Sequence, residues 1–209
     1  MKRSCLDALQ WTSYAKGMSM ADTIINQEWK TAVHALNLSQ PDASTCQSAC
    51  IAMAVGDKDV LRVRRKLNRL PGAAGDTTNM GKVIRGYIGD RYIYNNAASL
   101  NDIVGYLKAG EFLIIHGYFT GSGHIIALDG VKLKADATYA FNVKDPWSEF
   151  DGPSWTYNNP KSTFYDGFYS DRIIYAACVP SVSVWDAAQW YECRPDYNLK
   201  KAWVHRIKP

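Results

Sequence analysis

A chain of 209 residues, 47% apolar and 21% charged, carries enough apolar material for one well-buried domain and too little charge to stay unfolded. Its net charge of +4 tolerates an anionic partner but falls short of a nucleic-acid footprint, and no apolar run reaches membrane-spanning length. Five cysteines without framework spacing read as reduced thiols, one of them a candidate for reactivity.

Met1-Lys2-Arg3 is basic, but Asp7 and Gln10 interrupt any apolar segment behind it. No signal peptide is therefore expected, and synthesis is placed in the cytoplasm with the final site of action unassigned. Residues 1–35 read as an N-terminal extension, with an amphipathic turn at Leu6, Leu9 and Trp11 and a helix over Ala21–Ala35; His34 reads as structural or exposed. The main domain is expected over residues 36–180. It opens on Gln40-Pro41-Asp42-Ala43-Ser44-Thr45-Cys46-Gln47-Ser48-Ala49-Cys50, a turn-prone run that becomes small and apolar. The pattern predicts a buried helix from Cys46 to Gly56, with Ser44 or Thr45 placed to cap it. A thiol in a first helical turn faces unpaired N–H groups and the positive end of the macrodipole, which favours its thiolate. Cys50 reads as a small core residue.

A second helix follows through Val60, Leu61, Val63, Leu67 and Leu70. Its basic face (Arg62, Arg64, Arg65, Lys66, Arg69) is either solvated or a patch for an anionic surface. Asp76-Thr77-Thr78 opens a third helix that stops at Gly89. Tyr92-Ile93-Tyr94 reads as a strand, and Ser99 caps a fourth helix that ends at Gly110. Beyond Gly110 the period becomes extended. Strands are expected over Glu111–Tyr118, Ile125–Val131 and Tyr139–Lys144, then a loop over Asp151–Phe164 and a strand over Arg172–Val179. Residues 181–209 read as a C-terminal extension with two weak helical pieces. Helices first and an antiparallel meander second define an α+β fold, with the first helix packed on the sheet. Among 7 Trp and 13 Tyr, those in 147–168 are candidates to line a groove for peptide or sugar.

The chemistry lies in a conjunction. His124, Ile126 and Leu128 share one face of their strand; Tyr139, Phe141, Val143 and Asp145 share a face of the next. A hairpin can therefore set His124 beside Asp145, the carboxylate holding the tautomer while the other ring nitrogen addresses a thiol. Glycines before His124 keep that loop low. His116 is the rival base. Cys178 reads as core, and Cys193 as an exposed thiol without a nearby base.

Gln40-x5-Cys46 with a helix behind it, the Gly123-His124 strand, and Val143-Lys144-Asp145-Pro146-Trp147 together resemble the C39-like branch of the papain-like cysteine peptidases. Thr77-Thr78 before a helix, and Ser99-Leu100-Asn101-Asp102 opening the helix that leads through Gly110 into Phe112-Leu113-Ile114-Ile115, fit the same layout. The resemblance implies a papain-like α+β fold over residues 36–180. It also implies roles: Cys46 as nucleophile, His124 as base and then acid, Asp145 as orienter, and Gln40 with the Cys46 backbone N–H as the oxyanion hole. The implied reaction is hydrolysis of a peptide-like amide, with peptidoglycan peptides (a phage-type lysin) or a protein as substrate. No cofactor, metal or nucleic-acid partner is expected, since no phosphate loop or ligand-spaced histidines appear. Two departures stand out: Gln47 occupies a position often held by Gly, and residues 132–138 lengthen the His-to-Asp interval. The alternatives are acyl transfer to an amine or thiol, and a catalytically silent papain-like binding or virion-structural module.

Overall fold

The structure, a computed structural model, describes residues 27–159 and 163–209. The expected turn at Leu6–Trp11, and the part of the expected Ala21–Ala35 helix before residue 27, lie outside the described residues. Residues 27–30 correct the remainder of that helix. They form strand β1 (Gln27–Lys30), paired antiparallel with Leu133–Gly130, so tertiary pairing overrides the helical spacing.

Helix α1 (Cys46–Val55) is buried from Gln47 to Ala54, with Ala49 to Met53 fully buried, as expected of a central helix. It stops at Gly56, whose φ of 73° gives the left-handed conformation of a C-terminal cap. Thr45 stands at the N-cap position, but its hydroxyl donates back to the Asp42 carbonyl at 3.2 Å and the first turn receives no side-chain cap. Helices α2 (Val60–Asn68) and α3 (Thr77–Ile88) begin at Asp59 and Asp76, whose carboxylates accept from first-turn N–H groups. The basic face of α2 is partly spent within the fold: Arg62 pairs with Asp57, Arg65 with Asp59, and Lys66 sits 3.6 Å from the Tyr87 ring centroid. Helix α4 (Leu100–Lys108) carries the reciprocal Ser99–Asp102 capping box.

The main sheet contains β2 (Tyr92–Ala98), β3 (Phe112–Gly117), β4 (His124–Leu133), β5 (Tyr139–Asp145), β8 (Tyr165–Ser170) and β9 (Ala202–Ile207) in the order β2-β9-β3-β4-β5-β8, with β1 on β4 beyond the end of β3. All its pairings are antiparallel. A two-stranded hairpin, β6 (Phe150–Asp151) with β7 (Thr156–Tyr157), rises from the expected 151–164 loop. Side-chain alternation divides two cores. Phe112, Ile114, Ile125 and Ala127 face α1–α3, while Leu113, Ile115, Ile126 and Leu128 face α4 and α5. A register shift between Leu128 and Gly130 then turns Val131 into the second core.

Two expectations are corrected. Residues 172–178 are helical: α5 (Asp171–Cys178) is capped by Ser170, whose hydroxyl accepts from Ile173 N at 3.3 Å, and that cap outweighs the β-branched run. Residues 181–209 contain helix α6 (Val184–Tyr191) and then β9, which fills the gap between β2 and β3. Val204, His205 and Ile207 are fully buried there, so the chain's last strand is a central one. No described helix is long and apolar enough to cross a membrane.

Candidate active site

Cys46 enters from the N-terminus of α1, His124 is the first residue of β4, and Asp145 is the last of β5. They meet at one end of the sheet, where β4 begins and β5 ends. His124 Nε2 lies 2.8 Å from Asp145 Oδ1, and the same imidazole acts electrostatically on the Cys46 thiol. His124 is 6% exposed and Asp145 fully buried. Gln40, buried beside them, is stitched to the Asp145 loop by its backbone N–H, which donates to the Pro146 carbonyl at 2.9 Å. Its side-chain amide donates one N–H to the Asp42 carbonyl at 2.7 Å.

The electrostatics follow from burial set against pairing. Burial pushes the Cys46 thiol up, but the hydrogen bond and charge of His124, with backbone N–H groups of Ile125 and Gln47, outweigh it and bring the thiol below its ordinary value. Burial likewise pushes His124 down, but the charge and hydrogen bond of Asp145, then Cys46, raise it to about 10. Both shifts favour a thiolate–imidazolium pair. In the neutral form the Cys46 thiol also finds an acceptor in Gln47 Oε1 at 3.4 Å, and Gln47 is itself buried.

Asp145 receives more donors than sequence reasoning anticipated. Trp147 N donates to Oδ1 at 2.9 Å, an Asx-type turn consistent with Asp145-Pro146 as a turn starter. Tyr157 and Tyr169 direct their hydroxyls at Oδ2, at 3.0 and 3.2 Å. Nothing in local sequence singles out these two tyrosines, which reach the carboxylate from a separate hairpin and from the neighbouring strand.

His116, the rival base, sits on β3 opposite Ile125. Its ring stacks on Trp203 with centroids 5.5 Å apart, and burial, then the nearby His124 charge, lower its pKa to about 4. Cys50 and Cys178 are buried in the two cores, and burial pushes both thiols up. Cys193 is buried and disulfide-bonded, which corrects both its expected exposure and the reading of all five thiols as reduced; an odd count does not exclude a single bridge. His34 is exposed.

A groove of 630 Å³ runs between the 119–121 loop, the β6–β7 hairpin and α6; its lining includes Trp147 and Tyr157, which bond to Asp145, but not Cys46, His124 or Asp145 themselves. Phe119, Trp147, Trp155, Tyr157 and Trp185 supply its aromatic walls, Thr120, Ser154 and Thr156 its hydroxyls, and no charged residue lines it. Trp155 Nε1 donates to the Tyr118 carbonyl at 3.2 Å and ties the hairpin to the loop before His124. Among the described residues no cluster of metal-ligating side chains occurs.

Fold and site together describe an α+β chain with a thiol, an imidazole and a carboxylate in contact at a sheet end. Neither a family model nor a curated protein matches the sequence. One solved structure that it resembles is a double-glycine-motif protease from an AMS/PCAT transporter, determined in complex with the leader peptide. The two are 13% identical with a TM-score of 0.44, over 86% of this chain and 99% of that one. A likeness of that degree assigns neither activity nor residues.

Proposed function

We propose that this chain is a papain-like cysteine peptidase or amidase that hydrolyses a peptide-like amide through Cys46, His124 and Asp145. The observation that carries this reading is the His124 imidazole, with one nitrogen 2.8 Å from a buried carboxylate and its charge acting on a thiol at a helix N-terminus.

In this reading the Cys46 thiolate attacks the amide carbon, and the carbonyl electron pair moves onto oxygen. The Gln40 side chain and the Cys46 backbone N–H are the donors assigned to that oxyanion. Collapse of the tetrahedral adduct breaks the C–N bond as His124 passes its proton to the departing amine, leaving a thioester. Water then gives a proton to His124 and its oxygen to the acyl carbon. The thiolate departs, and the acid product and the imidazolium pair remain. Asp145 holds the imidazole in register throughout. The uncharged groove lined by Trp147 and Tyr157 suits an aromatic or aliphatic part of the substrate, and peptidoglycan stem peptides are one candidate beside proteins.

The test is alkylation of Cys46 by iodoacetamide as a function of pH, read by mass spectrometry in wild type and His124→Ala. Wild-type Cys46 should label well below the ordinary thiol range. In His124→Ala only burial acts strongly on the thiol, and the profile should move above it. Digestion of a synthetic peptide library and of purified peptidoglycan, with Cys46→Ala as control, then identifies the bond cleaved. The Gln47 acceptor favours a second reading, in which the thiol stays protonated and the fold is a silent binding module. Ordinary labelling of wild-type Cys46 would select it.

A further inference from the structure

Asp145 is a fully buried carboxylate whose sole ion-pair partner among the described residues is His124. Such a group is tolerated only if its remaining lone pairs are satisfied. Oδ1 takes His124 and Trp147 N; Oδ2, turned away from the imidazole, takes the two phenols. The phenols are not equivalent. Tyr169 Oη lies between Asp145 Oδ2 at 3.2 Å and the Ser148 carbonyl at 3.3 Å, and accepts from Phe150 N at 2.9 Å. Its single proton is shared. Tyr157 Oη lies 3.0 Å from Oδ2, and its ring meets His124 edge-on, with centroids 5.7 Å apart and planes at 82°. It touches both members of the His–Asp pair. Burial, and then the charge of Asp145, push both phenols far above their ordinary value, so each remains a donor at any pH where the protein works.

We propose that Tyr157, backed by Tyr169, is a positioning residue for the cluster: its hydroxyl pins Oδ2, which fixes the carboxylate plane so that Oδ1 faces His124 Nε2, and its ring edge holds the imidazole against that oxygen. The β6–β7 hairpin is the arm that delivers it, anchored by Phe150 packing edge-on to Tyr157 at 5.1 Å. Without the hydroxyl, Oδ2 loses its unshared donor, the carboxylate is free to turn, and the imidazole loses the partner that sets its tautomer. The proposal deepens the catalytic reading and rests on it for its consequence in activity, but the geometric claim can be measured separately.

The experiment compares wild type, Tyr157→Phe, Tyr169→Phe and, as control, Tyr165→Phe, whose ring stacks on Tyr169 but whose hydroxyl is not on Asp145. Two readouts are taken on each: the pH profile of Cys46 alkylation, and the downfield proton and nitrogen resonances of the His124 imidazole in protein labelled with 15N-histidine. Tyr157→Phe should slow alkylation at pH 6 roughly tenfold, the low end of what losing such a supporting partner costs. It should also move the Nε2–H resonance upfield and speed its exchange with solvent. Tyr169→Phe should act in the same direction and less, and Tyr165→Phe should change neither readout. If Tyr157→Phe lowers the melting temperature while both readouts stay at wild-type values, Tyr157 is structural only and the proposal is overturned. If wild-type Cys46 alkylates as an ordinary thiol, the catalytic reading fails by itself. The imidazole resonances then decide the brace alone: altered in Tyr157→Phe they uphold it, unaltered they overturn it.

Discussion

At the scale of single residues, the cluster works by setting burial against pairing. A buried thiol and a buried imidazole would each be driven neutral, and the carboxylate at 2.8 Å reverses this for the imidazole, which in turn reverses it for the thiol. Asp145→Asn keeps the shape but can offer the imidazole an amide N–H where an acceptor is required. Alkylation of Cys46 below pH 7 should fall toward that of His124→Ala, and a small residual turnover should survive. Gln40 is separable from this chain of charge. Gln40→Ala should leave the alkylation profile unchanged, because alkylation forms no oxyanion. Amide turnover should drop by ~10²–10³, the usual cost of one oxyanion donor. Parallel measurement of the two rates checks this, and an equal fall in both would contradict the role given to Gln40.

At the scale of elements, the loop before β4 is the most constrained joint. Gly123 has φ +76°, and a Cβ there would lie 2.2 Å from His116 Nε2, whose ring is already packed on Trp203 and Tyr118. Gly123→Ala should cost about 1–3 kcal/mol from the left-handed backbone alone. It should also displace His124, which follows directly, and so move Cys46 alkylation toward an ordinary thiol profile. Gly121→Ala is the matched control, since a Cβ there meets nothing within 4 Å and should leave melting and alkylation unchanged. A second joint ties the three first helices together. Asp57, just past α1, accepts from Arg62 Nε at 2.9 Å, Tyr87 Oη at 2.7 Å and Asp59 N at 2.9 Å. Asp57→Ala should destabilise by about 1–3 kcal/mol by leaving these donors without their acceptor. Chemical denaturation should show the loss, with the alkylation profile unmoved.

At the scale of the whole molecule, β9 decides whether the sheet is one object. It pairs with β2 on one side and β3 on the other and buries side chains in both cores. A chain ending at residue 199 would leave two unpaired edges in the middle of the sheet, and β2 would be cut from the rest. Such a truncation should abolish cooperative unfolding and fail to give soluble protein, as read by circular dichroism and size-exclusion chromatography. A soluble, cooperatively melting product would show that β9 is dispensable.

Local chemistry made much of this legible in sequence. The helix from Cys46 to Gly56 could be read because an apolar run after a turn-prone segment, closed by a glycine, has few other solutions. The strand before His124 could be read because its apolar run, Phe112-Leu113-Ile114-Ile115, is too short and too β-branched for a helix. The adjacency of His124 and Asp145 followed from the alternation of side chains along extended strands, with a hairpin to join them. What the sequence left undetermined depends on partners distant along the chain. Gln27–Lys30 becomes a strand because β4 offers it a free edge, and Ala202–Ile207 becomes central because β2 and β3 leave a gap one strand wide. Tyr157 and Tyr169 meet on Oδ2 of Asp145 from 12 and 24 residues away. Periodicity records which face of an element is buried. It carries no record of which edge that element will find, or which hydroxyl will reach a carboxylate across the fold, because those contacts exist only after the chain has closed.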